Sequence, residues 1–465
     1  MKPVALSRVW GWFLCRNGWL LWCAALLAWP AHAQTTDAPQ TFTLSNGMTL
    51  IVQPDRRAPT AVHMLWVRVG SMDEVDGRSG VAHVVEHMLF KGTPTLAEGE
   101  FSRQIAALGG RENAFTSRDA TAYHQQIPAE RLAEVMRLEA DRFAHNAWPD
   151  DAFRREMDVI KEERRQRVDE SPQARMIEVF NATAWMAHPY RRPIIGWMSD
   201  LVSLTPDDVR AFYREWYVPG NAAVVVVGDV DVGQVREWAE RYYGQLPVRA
   251  VPARKPQTEP AQTGVRRIEY RGRTDRPLVV MGYKVPTLAH PDAQDADSLD
   301  ALALLLLAGV LDGHSAARLE RALIQGEGLH GQRVADSVGA SFSVVGRGPQ
   351  LFWFSGSPAQ GVTPTALEEA FKQQVRRVAQ EGVSVAELQR VKTQWLAADV
   401  FNLDSTFAQA RELGSHWVQD WPMDASARLM QRLDTITPQD IQRVAGRYFT
   451  DQQLTVGVLL PEVTP

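Results

Sequence analysis

Polar and apolar residues alternate from Phe42 through Leu44, pause at Asn46-Gly47, and resume over 49–52. Asn-Gly tolerates the φ > 0 positions of a tight turn, so this stretch predicts a hairpin. A further alternating run places Val62, Met64 and Trp66 on one side of a strand, because side chains there repeat every two residues. Helical spacing dominates over 80–108, 128–146 and from Asp150 onward, with strand-like stretches at 114–117 and 121–126 between. Hairpins and helix pairs, in place of strict βαβ alternation, predict an α+β fold.

Composition shifts over 245–264 to Pro, Thr, Gln and Ala, with prolines at 247, 252, 256 and 260. Such a stretch reads as an extended linker. The chain repeats itself across it. Thr205-Pro206-Asp207-Asp208-Val209 leads through Tyr217 to an apolar strand at 222–227. Thr437-Pro438-Gln439-Asp440-Ile441, offset by 232 residues, leads through Phe449 to another at 454–460. Thr-Pro opens a helix in each case. The expected architecture is two homologous α/β-roll domains, 34–244 and 265–465, each an antiparallel-rich sheet packed with helices. A domain of about 200 residues is of ordinary size.

The first 33 residues stand apart. Lys2, Arg8 and Arg16 occur there without an acid, followed by an apolar stretch at 19–29 and by Ala31-His32-Ala33. A positive start, an apolar centre and small residues at −3 and −1 describe a secretory signal peptide, which predicts a periplasmic or secreted protein. Its removal takes the formal charge from −5 to −8 and removes both cysteines, Cys15 and Cys23. That excludes disulfides, a catalytic thiol and a cysteine–zinc site. No later apolar run reaches the ~20 residues of a membrane span. A net acidic chain without a basic run argues against nucleic acid as a partner.

His83-Val84-Val85-Glu86-His87 carries the chemistry. On a helix the two imidazoles project one turn apart from one face, which suits a single zinc ion. Glu86 adjoins them, close enough to take a proton from a water at that metal. Ser79 is the expected cap, and Gly92 the expected stop. A catalytic zinc needs a third ligand. The eight further histidines after the leader are isolated and read as packing or surface residues, so a carboxylate is expected. On the helix from Asp150, Phe153, Met157 and Ile160 define an inward face, with Glu156 and Glu163 together on its flank. Helical geometry leaves both open.

The inverted motif, with Glu163 following His87 by 76 residues, resembles the pitrilysin/insulinase family of zinc peptidases. In length the chain is similar to its two-domain class, which includes mitochondrial processing peptidase subunits. The resemblance implies Zn2+ held by His83, His87 and Glu163, Glu86 as general base, and Glu156 supporting His87 or the metal. A second match, Gly109-Gly110-Arg111-Glu112-Asn113-Ala114-Phe115-Thr116-Ser117, implies an edge strand on which Asn113, Ala114 and Phe115 bind an extended peptide. Family members that close over substrate use an Arg and a Tyr in the non-zinc part; Ile324 and Gly331 align to those slots. The resemblance therefore implies a homologous non-catalytic subunit that supplies the Arg/Tyr pair, or a homodimer. The expected activity is zinc-dependent cleavage of peptides or unfolded segments, the alternative a non-catalytic scaffold of the same fold. Two imidazoles and a carboxylate suit zinc but do not by ligand type exclude manganese or cobalt.

Overall fold

The computed structural model describes residues 38–327 and 331–462. The expected leader, with both cysteines, lies outside the described residues, as does His330. The first half builds a six-stranded sheet from β1 (Gln40–Thr43), β2 (Thr49–Pro54), β3 (Thr60–Val67), β4 (Arg111–Thr116), β5 (Thr121–Pro128) and β6 (Ala222–Gly228). Its order is β1-β2-β6-β3-β5-β4. The helices between are α1 (Val81–Met88), α2 (Glu100–Ala107), α3 (Leu132–His145), α4 (Asp150–Arg164), α5 (Pro172–Ala184), α6 (Met198–Ser203) and α7 (Pro206–Trp216); α8 (Val232–Tyr242) follows.

The second half has β7 (Arg266–Gly272), β8 (Leu278–Val285), β9 (Ala335–Ser341), β10 (Gln350–Pro358) and β11 (Leu454–Pro461), in the order β7-β11-β8-β10-β9. Its helices are α9 (Ala296–Leu311), α10 (Pro364–Glu381), α11 (Val385–Asn402), α12 (Thr406–Val418), α13 (Ala425–Thr435) and α14 (Pro438–Tyr448). Five strands correspond one to one. The strand after the Thr-Pro helix, β6 or β11, runs parallel to the first of the five, β2 or β7, and antiparallel to β3 or β8. The repeat extends to the caps. Thr205 Oγ1 accepts from Asp208 N at 3.2 Å and Thr437 Oγ1 from Asp440 N at 3.3 Å, each closed into a capping box.

Both predicted strand alternations are present. Gln40 pairs with Val52 and Thr43 with Thr49, around a turn in which Gly47 has φ +87°. The helical stretch expected at 80–108 is two helices, because Gly92, Pro94 and Gly99 break it; Gly92 and Gly99 both have positive φ. No described helix is long and apolar enough to cross a membrane.

The halves exchange helices. The inner face of the first sheet packs on helices of its own half, while its outer face, with Val62, Met64, Trp66, Ala223, Val225 and Val227, is covered by Ala410, Leu413 and Val418 of α12. Reciprocally, Met176, Phe180 and Ala184 of α5 cover Val280, Leu351 and Leu459 of the second sheet. Buried on both faces, β6 is an unbroken apolar run from Ala222 to Val227. Burying Leu413 and Val418 together contributes roughly 3–6 kcal/mol. Polar contacts fix the register: Gln53 Nε2 donates to Gln409 Oε1 at 2.8 Å, and Trp417 Nε1 to Thr49 Oγ1 at 3.1 Å. Residues 245–264 hold no helix or strand but are tied to both halves. Arg254 Nε lies 2.8 Å from Asp73 Oδ1, and Glu259 accepts from the backbone at 186–188 and from Lys284 Nζ.

Candidate active site

Helix α1 carries His83, Glu86 and His87, with Val81, Ala82, Val84, Val85 and Met88 buried in the core of the first half. Its start departs from expectation. Ser79 does not cap it. Gly80 is the N-cap, at φ +89°, while Ser79 Oγ donates to Asp200 Oδ2 at 2.6 Å and accepts from Trp197 N at 2.9 Å. The reason is the left-handed turn at Gly80, which points Ser79 away from the helix. Glu74 takes over the cap: its carboxylate accepts from Gly80 N at 3.0 Å and Ala82 N at 2.9 Å. A Cβ on Gly196 would stand 2.4 Å from Ser79 O, so this turn requires glycine opposite it.

Helix α4 lies beside α1 and buries Phe153, Met157 and Ile160, the predicted face. Glu156 and Glu163 both turn toward the histidines, but to different nitrogens. Glu156 Oε1 is 2.8 Å from His87 Nδ1, and its Oε2 is 2.5 Å from Lys91 Nζ. Glu163 Oε2 lies 3.4 Å from His87 Nε2 and 3.8 Å from His83 Nε2. It is buried and has no hydrogen-bond partner. Three ligand atoms bound at 2.0–2.1 Å in a tetrahedron stand about 3.3 Å apart. An orphaned carboxylate oxygen facing two imidazole nitrogens at that spacing fits a zinc ion. Among the described residues, His83, His87 and Glu163 form the group able to share a metal.

Electrostatics follow the same asymmetry. Burial works against charge on His87, but the carboxylates of Glu156 and Glu163 outweigh it and push the imidazole up to about 9. His83, buried and beside His87, is pushed down to about 4. Burial raises Glu86 above the usual carboxylate range, opposed by Thr116 Oγ1, which donates to Glu86 Oε2 at 2.5 Å.

Thr116 ends β4, the edge strand of the sheet. Asn113, Ala114 and Phe115 line a cavity of about 960 Å³ with His83, Glu86, His87 and Glu163. With Glu156, also in its wall, all eight sequence-selected residues border one space. Asn113 Oδ1 accepts from Ala114 N at 2.8 Å. His63, an isolated histidine, is a packing residue as expected: buried, it meets Gln125 Oε1 at 2.7 Å and Tyr243 OH at 2.9 Å. In the second half, Ile324 ends a π turn and Gly331 has φ +60°.

Sequence reasoning missed Thr116 as Glu86's partner, Lys91 as Glu156's, and Arg167, whose Nη1 lies 2.8 Å from Glu163 Oε1. Arg167 sits four residues after Glu163, a helical spacing that could have found it. The Glu74 cap has no comparable local signature.

Comparison with known proteins gives the family of the chain. The family model described as insulinase (peptidase family M16) matches residues 49–197, and that described as peptidase M16 inactive domain matches 203–395. The zinc protease PqqE of Helicobacter pylori is 31% identical over 437 residues, covering 92% of this chain and 95% of that one. A mitochondrial-processing peptidase subunit beta of Lentinula edodes is 26% identical over 430 residues, covering 89% and 88%. The crystal structure of a protease from Helicobacter pylori superposes with a TM-score of 0.83 at 29% identity, over 91% of this chain and 99% of that one. On its sequence, its fold and the layout of its two halves, the chain belongs to the insulinase family of peptidases, peptidase family M16.

Proposed function

We propose that the protein is a zinc-dependent endopeptidase that cleaves peptides or unfolded polypeptide segments. The observation that carries this reading is the buried, unpartnered Glu163 Oε2 facing the Nε2 atoms of His83 and His87. Those three residues hold the metal. When bound, zinc supplies a Lewis acid that polarises water and the scissile carbonyl. Glu86 takes a proton from the attacking water and returns it to the leaving amine, and its burial, which raises its basicity, suits that role. Thr116 holds the Glu86 carboxylate in place. Glu156 positions His87 through Nδ1, leaving Nε2 for the metal. An extended substrate adds to the free edge of β4 along Asn113, Ala114 and Phe115, with backbone pairing that reads side chains loosely.

The zinc-bearing domain spans 34–244, with 245–264 connecting it to a non-catalytic domain at 265–465. The protein works as one chain of a two-chain clamshell. The partner is a homologous subunit that brings the Arg and Tyr absent at Ile324 and Gly331, or a second copy of this chain. The relative named as a subunit supports this assembly. The leader pattern at 1–33 directs the protein to the periplasm or outside the cell.

Glu86→Gln tests the reading. The variant keeps its zinc, measured by elemental analysis, and loses hydrolysis of quenched fluorescent peptides by about 10²–10⁴-fold, the usual worth of a general base. Full turnover in the variant sinks the mechanism. A folded, zinc-loaded wild type that stays inert with every homologous partner chain supports the scaffold reading instead.

A further inference from the structure

Four arginines line the same cavity: Arg118, Arg167, Arg191 and Arg192. Three have ion-pair partners within the chain. Arg167 pairs with Glu163, while Arg191 and Arg192 share Asp76. Arg118 differs: among the described residues its guanidinium makes no ion pair and no hydrogen bond, and burial works against its charge. Neighbouring Asp119 attracts it through space, but that carboxylate makes its hydrogen bonds elsewhere, with Oδ1 accepting from Tyr190 OH and Oδ2 from Arg347 N at 3.1 Å. The carboxylates of the cavity face other groups: Glu86 is held by Thr116, Glu156 by His87 and Lys91, Glu163 by Arg167 at Oε1 with Oε2 toward the histidines, and Glu178 by Arg164 at 2.7 Å.

The placement of Arg118 is built into the fold. Met72 N donates to Arg118 O at 3.0 Å. A Cβ on Gly70 would come within 2.6 Å of that same oxygen, so the two backbones fit only with glycine there. The guanidinium carbon sits 5.1 Å from the Tyr190 ring centroid. Tyr190 is itself buried and held at its hydroxyl by Asp119 and by Gly348 N at 3.0 Å. A guanidinium fixed on an aromatic platform has little freedom left to lose on binding, and its fork of N–H donors matches a carboxylate. An unpaired, half-buried cation gains most from a ligand that brings the missing counter-charge.

We propose that Arg118 sets specificity by binding a carboxylate of the substrate, in the segment running past the Thr116 end of β4. The inference rests on the peptidase reading and adds what that reading lacks: a preference for an acidic side chain, or for a free C-terminus, near the scissile bond.

The test uses the zinc-loaded full chain and quenched peptides carrying Glu, Gln or Lys at each position in turn, each with a free or an amidated C-terminus. Expected is a kcat/KM about 10- to 100-fold higher for Glu than for Gln at one position, the range of a charge-assisted pair. Arg118→Gln abolishes that preference and Arg118→Glu reverses it toward Lys. If the advantage follows the free terminus and vanishes on amidation, the carboxylate recognised is the C-terminus. Equal loss on all peptides in Arg118→Gln means that Arg118 only packs against Tyr190, and overturns the proposal. Binding of the same peptides to Glu86→Gln, read by fluorescence anisotropy, gives an answer independent of turnover. A 10- to 100-fold tighter grip on the carboxylate peptide, lost in Glu86→Gln/Arg118→Gln, sustains the proposal even if wild type hydrolyses nothing. Equal affinity for all peptides refutes it.

Discussion

Gly414 decides how firmly the two halves are joined. It lies in α12 against Trp66 of β3, and a Cβ there would fall 2.1 Å from Trp66 Cε2 and Nε1 and 2.7 Å from Cδ1. Two opposing effects act on Gly414→Ala. Alanine in a helix interior is favoured over glycine by about 1 kcal/mol. The new methyl, however, overlaps a ring that is 4% exposed and wedged edge-on against Phe115 at 5.4 Å. Ordinary contact requires the helix or the ring to retreat by more than ~1 Å, and overpacking of this kind costs about 1–3 kcal/mol. With the overlap near the severe end, packing wins and the net loss is about 2 kcal/mol. Equilibrium urea unfolding followed by far-UV circular dichroism measures it. In a Trp66→Leu background the obstacle is gone, so Gly414→Ala becomes neutral or stabilising by up to ~1 kcal/mol. If Gly414→Ala is at least as stable as wild type, or loses as much in both backgrounds, α12 does not rest on this sheet as described.

Glu74 caps α1 from a fully buried position, and burial, outweighing its two backbone donors, pushes its carboxyl up to about 8. Between its unfolded value near 4.5 and that folded value, the folded state holds a proton that the unfolded state has released. Stability attributable to Glu74 therefore falls as pH rises through this window, by up to about 1.4 kcal/mol per unit. Glu74→Gln carries a neutral amide in place of the protonated acid, so its urea midpoint should lie nearest that of wild type at pH 5. The two should separate at pH 6.5 and 8 as wild type falls; a constant gap would falsify the linkage. Glu139 and Arg142 pair at 2.6 Å with almost no exposure, the guanidinium enclosed by Phe90, Phe101 and Tyr123. Glu139→Gln leaves that cation only the more distant Glu112, at 3.8 Å, and costs about 3 kcal/mol in unfolding free energy, the low end for a broken buried pair; a loss below ~1 kcal/mol contradicts the pairing.

The parts that sequence reveals are those whose rules are local. The four-residue spacing of His83 and His87, the inward stripe of Phe153, Met157 and Ile160, and the Thr-Pro capping boxes all follow from helical geometry alone. The division of labour between Glu156 and Glu163 is not local, because two residues on one helix flank differ only in which nitrogen of a separate helix they meet. The Glu74 cap fails to show for the same reason: it reaches back across a left-handed turn instead of following the N-cap spacing. Phe407, Ala410 and Leu413 read as an ordinary amphipathic stripe, and nothing in that stripe says that it belongs to a sheet some 350 residues upstream. The break in 80–108 is a mixed case: Gly92 is legible as the stop of the first helix, while Pro94 and Gly99 are legible signals outweighed by the periodicity around them.

The exchanged helices set a timetable for synthesis. The last strand of the first sheet is complete at Gly228, yet the cover for its outer face begins at Thr406. At 5–20 residues per second the ribosome needs roughly 10–35 s to deliver the missing ~180 residues. Throughout that interval Val62, Met64, Trp66 and Val225 form an apolar surface with nothing of their own chain to lie against. A chain built this way calls for a holding chaperone during translation, or for folding deferred until the whole polypeptide has been released.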